Sequence, residues 1–325
     1  MSLSLTPDAV EPVIAGLLGA IDVDGGPTGE QMTVLRALAS HIWDYRMAEA
    51  DVITPLGPDA LAAAVTDPMD RRHFHEVLVV LEACRHPLTA AQVTSVECYS
   101  IALEIEDSDQ SLFRAYAAAG RERVSADFSR FMVANLAARE EPGAADGVLG
   151  DVDVSGADPG LAATLASFED LEPDSLGQAL LAFYRRHGIP LPGVQASPMN
   201  HFFVSHDMTH VIAGIEPTAA GEVALSAFQM AMDDNPVNRA ALLLSLASHE
   251  TGFGSPQTFA PEERTLDSAD AAELLGQEMA RGGQCAADFS LVDHLALAPL
   301  PLAEVRRRFG VCEPERPDDG HHHWT

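Results

Sequence analysis

The sequence predicts an all-α fold in two helical domains. Apolar residues recur at three- and four-residue intervals through most of the chain. No segment alternates as a half-buried strand does, and a Gly/Asp/Pro-rich break near the middle separates two runs of helical text. At 325 residues and 47 % apolar, the chain is long and greasy enough for two cores.

Residues 1–140 read as one domain of consecutive amphipathic helices. "PDAVEPVIAGLLGAI", "GEQMTVLRALASHIW" and "DRRHFHEVLVVLEAC" carry the spacing, "HPLTAAQVTSVECYSIALEI" adds a helix with Thr89 as N-cap, and "DSDQSLFRAYAAAGRERVSADFSRFMVANLAA" closes the run. Residues 141–162 read as a linker. There Asp151, Asp153, Ser155 and Gly156 match the first half of a calcium-binding loop, but Ala162 stands where a bidentate glutamate is needed, so a solvated linker is expected. The second domain, 163–312, opens with "LEPDSLGQALLAFYRRHGIPLPG", stopped at Gly188 and Pro190. A helix capped by Ser197, with Pro198 at its first position and Gly214 at its end, leads through "IEPT" to "AAGEVALSAFQMAMD". Pro236 then starts "VNRAALLLSLASHE", closed by Gly252, and "SADAAELLGQEMARGG" and "LPLAEVRRRFG" supply two more helices. Residues 313–325, ending "HHHWT", are expected to be a disordered tail.

Charge excludes several functions. The formal net charge is −30, so a phosphate-binding surface for nucleic acid would sit in a repulsive field, as would simple electrostatic attachment to anionic lipid. All 19 basic residues are arginine, which removes lysine Schiff bases and the P-loop lysine from consideration. Cys84, Cys98, Cys285 and Cys312 form no CxxC pair, so free thiols in a reducing compartment are expected. The longest apolar run, "AALLLSLA", is too short to span a bilayer, and no leader pattern opens the chain; a cytoplasmic protein is expected.

The chemistry concentrates in "HDMTHVIAGIEPTAAGE". His206 and His210 stand at i and i+4, so both rings leave one helix face a turn apart, the spacing that lets two imidazoles ligate one ion. Asp207 lies about 100° round the helix and can reach the same ion or orient a ligand. A return of the chain after Gly214 and Pro217 can bring Glu222 opposite the pair. Nitrogen and oxygen ligands without thiolate suit Zn²⁺, Fe²⁺ or Mn²⁺. Phe202 and Phe203 make an apolar wall beside this set, and Gln229, two turns beyond Glu222, is a candidate substrate contact. Most helical HxxxH pairs are ordinary polar surface, so the spacing alone leaves that alternative open. His73 and His75, at i and i+2, are expected to be solvated; His249 suits a helix C-terminus, and His201 lies off the motif's face.

The stretch resembles the Coq-four family of coenzyme Q (ubiquinone) biosynthesis proteins, whose hallmark is HDxxH, eleven residues, then Glu. "LEPDSLGQALLAFYRRHGI" resembles that family's helix upstream of the motif, Gly214 and Gly221 match its glycines, and "GQEMARGGQCAADFSLVDHLALAPLPLAEVRRRFGV" resembles its last helices. The likeness covers 163–312 and implies a helical bundle with His206, Asp207, His210 and Glu222 as ligands of a divalent metal, usually zinc. It also implies a prenylated quinone or similar lipid-like partner, handled at a membrane surface beside other biosynthetic enzymes or as a homodimer. Decarboxylation or oxidative decarboxylation of a prenylated benzoquinone precursor is the implied activity, with a non-catalytic scaffold as the alternative. The first 140 residues, through "DVDGGPTGEQ", faintly resemble TerB-like tellurite-resistance domains. An HDxxH metallopeptidase is a minor alternative, disfavoured because Asp207 is one methylene shorter than the glutamate that activates water; an HD-type phosphohydrolase lacks its further ligands.

Overall fold

The computed structural model of the chain describes residues 3–48, 53–105, 157–195, 200–252 and 262–324. Outside them lie the helix expected over 107–138, most of the 141–162 linker with the calcium-like aspartates, and the expected Ser197 cap with Pro198. The fold is all-α: the described residues contain helices and isolated bridges but no strand. None of these helices is long and apolar enough to cross a membrane.

The α-helices, in chain order, are α1 (Val10–Ile21), α2 (Gly29–Trp43), α3 (Pro58–Ala64), α4 (Pro68–Ala83), α5 (Ala90–Ala102), α6 (Pro159–Ala166), α7 (Leu176–His187), α8 (Asn200–Ala213), α9 (Ala219–Met232), α10 (Pro236–His249), α11 (Ala269–Gly282), α12 (His294–Leu297) and α13 (Leu302–Phe309). Their ends follow local chemistry. Thr28 and Gln31 form a reciprocal capping box on α2, and the Thr89, Ser175 and Thr218 hydroxyls accept from the first turns of α5, α7 and α9. Gly188, Gly214 and Gly310 end α7, α8 and α13 in the left-handed conformation that a side chain resists.

The chain forms two compact units, and they do not follow the expected break at 141–162. The first takes the N-terminal helices together with 218–234 and 239–283. Val223, Ala227, Met230, Leu246 and Leu275, expected in a separate C-terminal bundle, are buried in one core with Leu17, Leu38, Phe74 and Leu78. The reason is α9, which is buried at every residue from Val223 to Met232 and so needs neighbours on every side. Small residues let α11 come close: a Cβ on Gly276 would sit 2.9 Å from the Ala37 carbonyl oxygen of α2, and one on Gly282 would collide with that of Phe228 on α9. In this unit His73 is buried, not solvated, and its Nδ1 lies 3.2 Å from the Ser4 carbonyl.

The second unit comprises described residues of 157–217, 235–238 and 284–324. Asp158 caps α6 inside the expected linker. The tail expected to be disordered is packed instead: the Glu216 and His323 amides donate to the His321 and Gly214 carbonyls, and His322 is buried. Backbone pairing with the 214–216 turn fixes it, an interaction that local sequence does not announce.

Candidate metal centre

The site is built on α8. Its last turn is closed by the Gly214 and Ile215 amides, which both donate to the His210 carbonyl, at 2.7 and 3.1 Å. Arg306 of α13 donates to the Ile212 and Val211 carbonyls at 3.1 and 3.0 Å, placing a cation on the negative end of the helix. The Trp324 ring lies 3.5 Å from the Arg306 guanidinium carbon and packs against Gly214. The packed tail is therefore part of the support behind the histidines.

His210 is 1 % exposed, and its Nδ1 donates to the Ile215 carbonyl at 2.9 Å. A carbonyl only accepts, so the proton is fixed on Nδ1 and the neutral ring keeps its lone pair on Nε2. That Nε2 lies 3.2 Å from Nε2 of His206. Two nitrogens bound to one tetrahedral zinc at about 2.0–2.1 Å stand roughly 3.3 Å apart, so the pair has the separation such an ion imposes. Phe202 stacks on His206, with ring centres 5.4 Å apart and planes 14° apart, while Phe183 stacks on His210 at 5.9 Å. Phe203 meets Phe202 edge-on.

Asp207 is buried and faces the Tyr184 hydroxyl, outside strict hydrogen-bond geometry. Burial and then the nearby carboxylate hold the tyrosine's ionisation well above its ordinary range. Glu222 is half-buried in the first turn of α9, where a carboxylate suits the helix dipole, and Gln229 is buried further along the same helix. Both belong to the first unit. His201 Nε2 sits 3.1 Å from Asp158 Oδ2.

Sequence reasoning missed Phe183, Tyr184, Arg306 and the tail as parts of this region. Phe183 and Tyr184 stood in a helix read only for its amphipathic period, and Arg306 lies 94 residues beyond the carbonyl of Ile212 that it caps. None of these carries a local signal.

No protein-family model and no curated protein matches the chain. A crystal structure of a Nostoc punctiforme protein provisionally assigned to ubiquinone biosynthesis is similar at 16 % identity, over 73 % of this chain and 97 % of its own, with a TM-score of 0.33. A likeness this remote leaves function to be argued from the chain's own residues.

Proposed function

We propose that the chain is a divalent-metal protein of prenyl-quinone metabolism, with His206, Asp207, His210 and Glu222 as the ligand set and zinc as the first candidate ion. The observation that carries metal binding is the His206–His210 pair: two Nε2 atoms 3.2 Å apart, one of them on a ring whose tautomer a backbone carbonyl fixes. Glu222 joins the proposed set on the spacing of the motif alone, with eleven residues between it and His210. The substrate class rests on the resemblance of "HDMTHVIAGIEPTAAGE" to the quinone-biosynthesis motif.

A bound dication supplies a Lewis acid for the carboxylate or phenolic oxygen of a prenylated aromatic acid, which fits decarboxylation. An oxidative version needs iron or manganese and an electron acceptor such as dioxygen. Phe202 and Phe183 hold the imidazole planes and exclude water from one side of each. Burial, and then Asp207, keep Tyr184 protonated, leaving the hydroxyl as a donor. Phe202, Phe203 and Gln229 are the proposed substrate contacts. The scaffold alternative is favoured by one observation: His210 is almost wholly buried, as in a closed structural site. Action at a membrane surface, with partner enzymes or a second copy, belongs to the same proposal.

The deciding experiment combines metal analysis of the purified wild type and of His206→Ala/His210→Ala with mass spectrometry of co-purified lipids. The expected result is an ion that the double variant loses and a prenylated aromatic molecule bound by the wild type. Equal metal content in the two proteins would sink the site. Metal without such a lipid, and unchanged quinone pools in a deletion strain, would sink the quinone assignment and leave the metal.

A further inference from the structure

Within the first unit, three side chains from distant parts of the chain converge. Glu30 stands in the first turn of α2, His86 in the turn after α4, and Glu250 follows the last residue of α10. Nε2 of His86 lies 2.7 Å from Oε1 of Glu250 and 3.6 Å from Oε1 of Glu30. One ligand atom from each residue lies within 4.8 Å of the other two.

The carboxylates are presented in the same way. Oε2 of Glu250 accepts the Leu266 amide at 2.8 Å, and Oε2 of Glu30 lies 3.5 Å from Nε of Arg264. Each therefore has one oxygen occupied and turns the other toward the imidazole. Glu30 is 3 % exposed, and its Oε1 is buried with no hydrogen-bond partner, a costly state for a carboxylate oxygen. Ligands of a first-row ion at about 2.1 Å stand roughly 3.0–3.4 Å apart, a range that the 2.7 and 3.6 Å separations bracket.

The surroundings hold the set rigid. Arg85, next to His86, is buried and donates to Gln92 Oε1 at 2.9 Å, to the Ile21 and Gly26 carbonyls at 3.0 and 2.8 Å, and to Gln31 Oε1 at 3.2 Å. Gln31 is also the capping residue of α2, so one network fixes both the His86 turn and the helix end that carries Glu30. The His86 side chain is 20 % exposed, which leaves a path for an ion.

We propose that Glu30, His86 and Glu250 form a second divalent-cation site, with Oε1, Nε2 and Oε1 as its three protein ligands. One nitrogen and two oxygens suit Zn²⁺, Mn²⁺ or Fe²⁺ over Mg²⁺ and Ca²⁺, which prefer oxygen alone. Bound there, the ion ties α2, the turn after α4 and the end of α10 to one point, stabilising this unit by mass action.

The test uses the full chain carrying His206→Ala/His210→Ala, stripped with a chelator and titrated with Zn²⁺ by calorimetry. The expected result is one ion per chain, a rise in melting temperature on binding, and at least tenfold weaker binding once Glu30→Gln or His86→Ala is added. No stoichiometric ion in the His206→Ala/His210→Ala background overturns the proposal, and that measurement leaves the cluster itself unaltered. An ion bound equally well with Glu30→Gln added also overturns it, by showing that the metal sits elsewhere on the acidic surface.

Discussion

The His206/His210 pair and the Glu30–His86–Glu250 cluster meet the same physical problem in opposite ways. The pair is local: helical spacing alone sets the two rings a turn apart, and one backbone carbonyl fixes the tautomer of His210. The cluster is non-local, since its members are 56 and 164 residues apart along the chain and meet only when the first unit folds. The pair is cushioned by aromatic rings, the cluster by charge. His86 between two buried carboxylates supports the fold through charge even without a metal, whereas the His206/His210 pair does so through the His210–Ile215 bond and ring stacking.

The largest expected effect tests that difference. His86→Ala leaves Glu30 and Glu250 facing each other, and removing one partner from a buried charge group typically costs about 3–5 kcal/mol. His206→Ala, on a half-buried ring, is expected to cost about 1 kcal/mol or less in metal-free protein. Urea unfolding of both chelator-treated variants at pH 7 gives the comparison; equal losses would erase it. Next in size is Gly214→Ala. Its φ is +71°, and the added Cβ would lie 2.7 Å from the Trp324 ring, so about 1–2 kcal/mol and a shift of the neighbouring Ile215 carbonyl are expected. Losing that orienting bond should weaken Zn²⁺ at the pair by roughly tenfold. Zinc titration should show the ion of the first unit unchanged.

Legibility followed the same division. The ends of α7 and α8 at Gly188 and Gly214 and the Thr89 cap of α5 could be read directly, because caps and left-handed glycines are local. So could the helical phase that puts His206 and His210 together. Stacking of Phe183 on His210, burial of His73 and docking of the tail through His321 and His323 depend on tertiary neighbours with no local signature. The boundary between units was misplaced for a related reason. Composition marks a Gly/Asp/Pro-rich stretch near 141–162, but it does not say that α9 and α11 return to the N-terminal core. Glu30, His86 and Glu250 were invisible as a set, since each looks ordinary in its own helix end or turn.

The smallest expected effect asks whether buried negative charge in the first unit always comes with a cation in its place. Glu76 is 6 % exposed, and burial, followed by the neighbouring Asp234, raises its pKa from 4.5 to about 8; Arg72 only partly offsets this. Its Oε2 has no hydrogen-bond partner. The folded state thus holds the Glu76 proton over a range where the unfolded chain releases it. Its contribution to stability is complete below pH 4.5 and falls as pH rises toward 8. Glu76→Gln, neutral throughout, should melt close to the wild type at pH 4.5 and roughly 3–6 °C above it at pH 8. Melting curves of the two proteins across that window measure the difference directly. A gap that fails to widen with pH would show Glu76 to be charged and well paired, as the cation-filled Glu30–His86–Glu250 cluster is proposed to be.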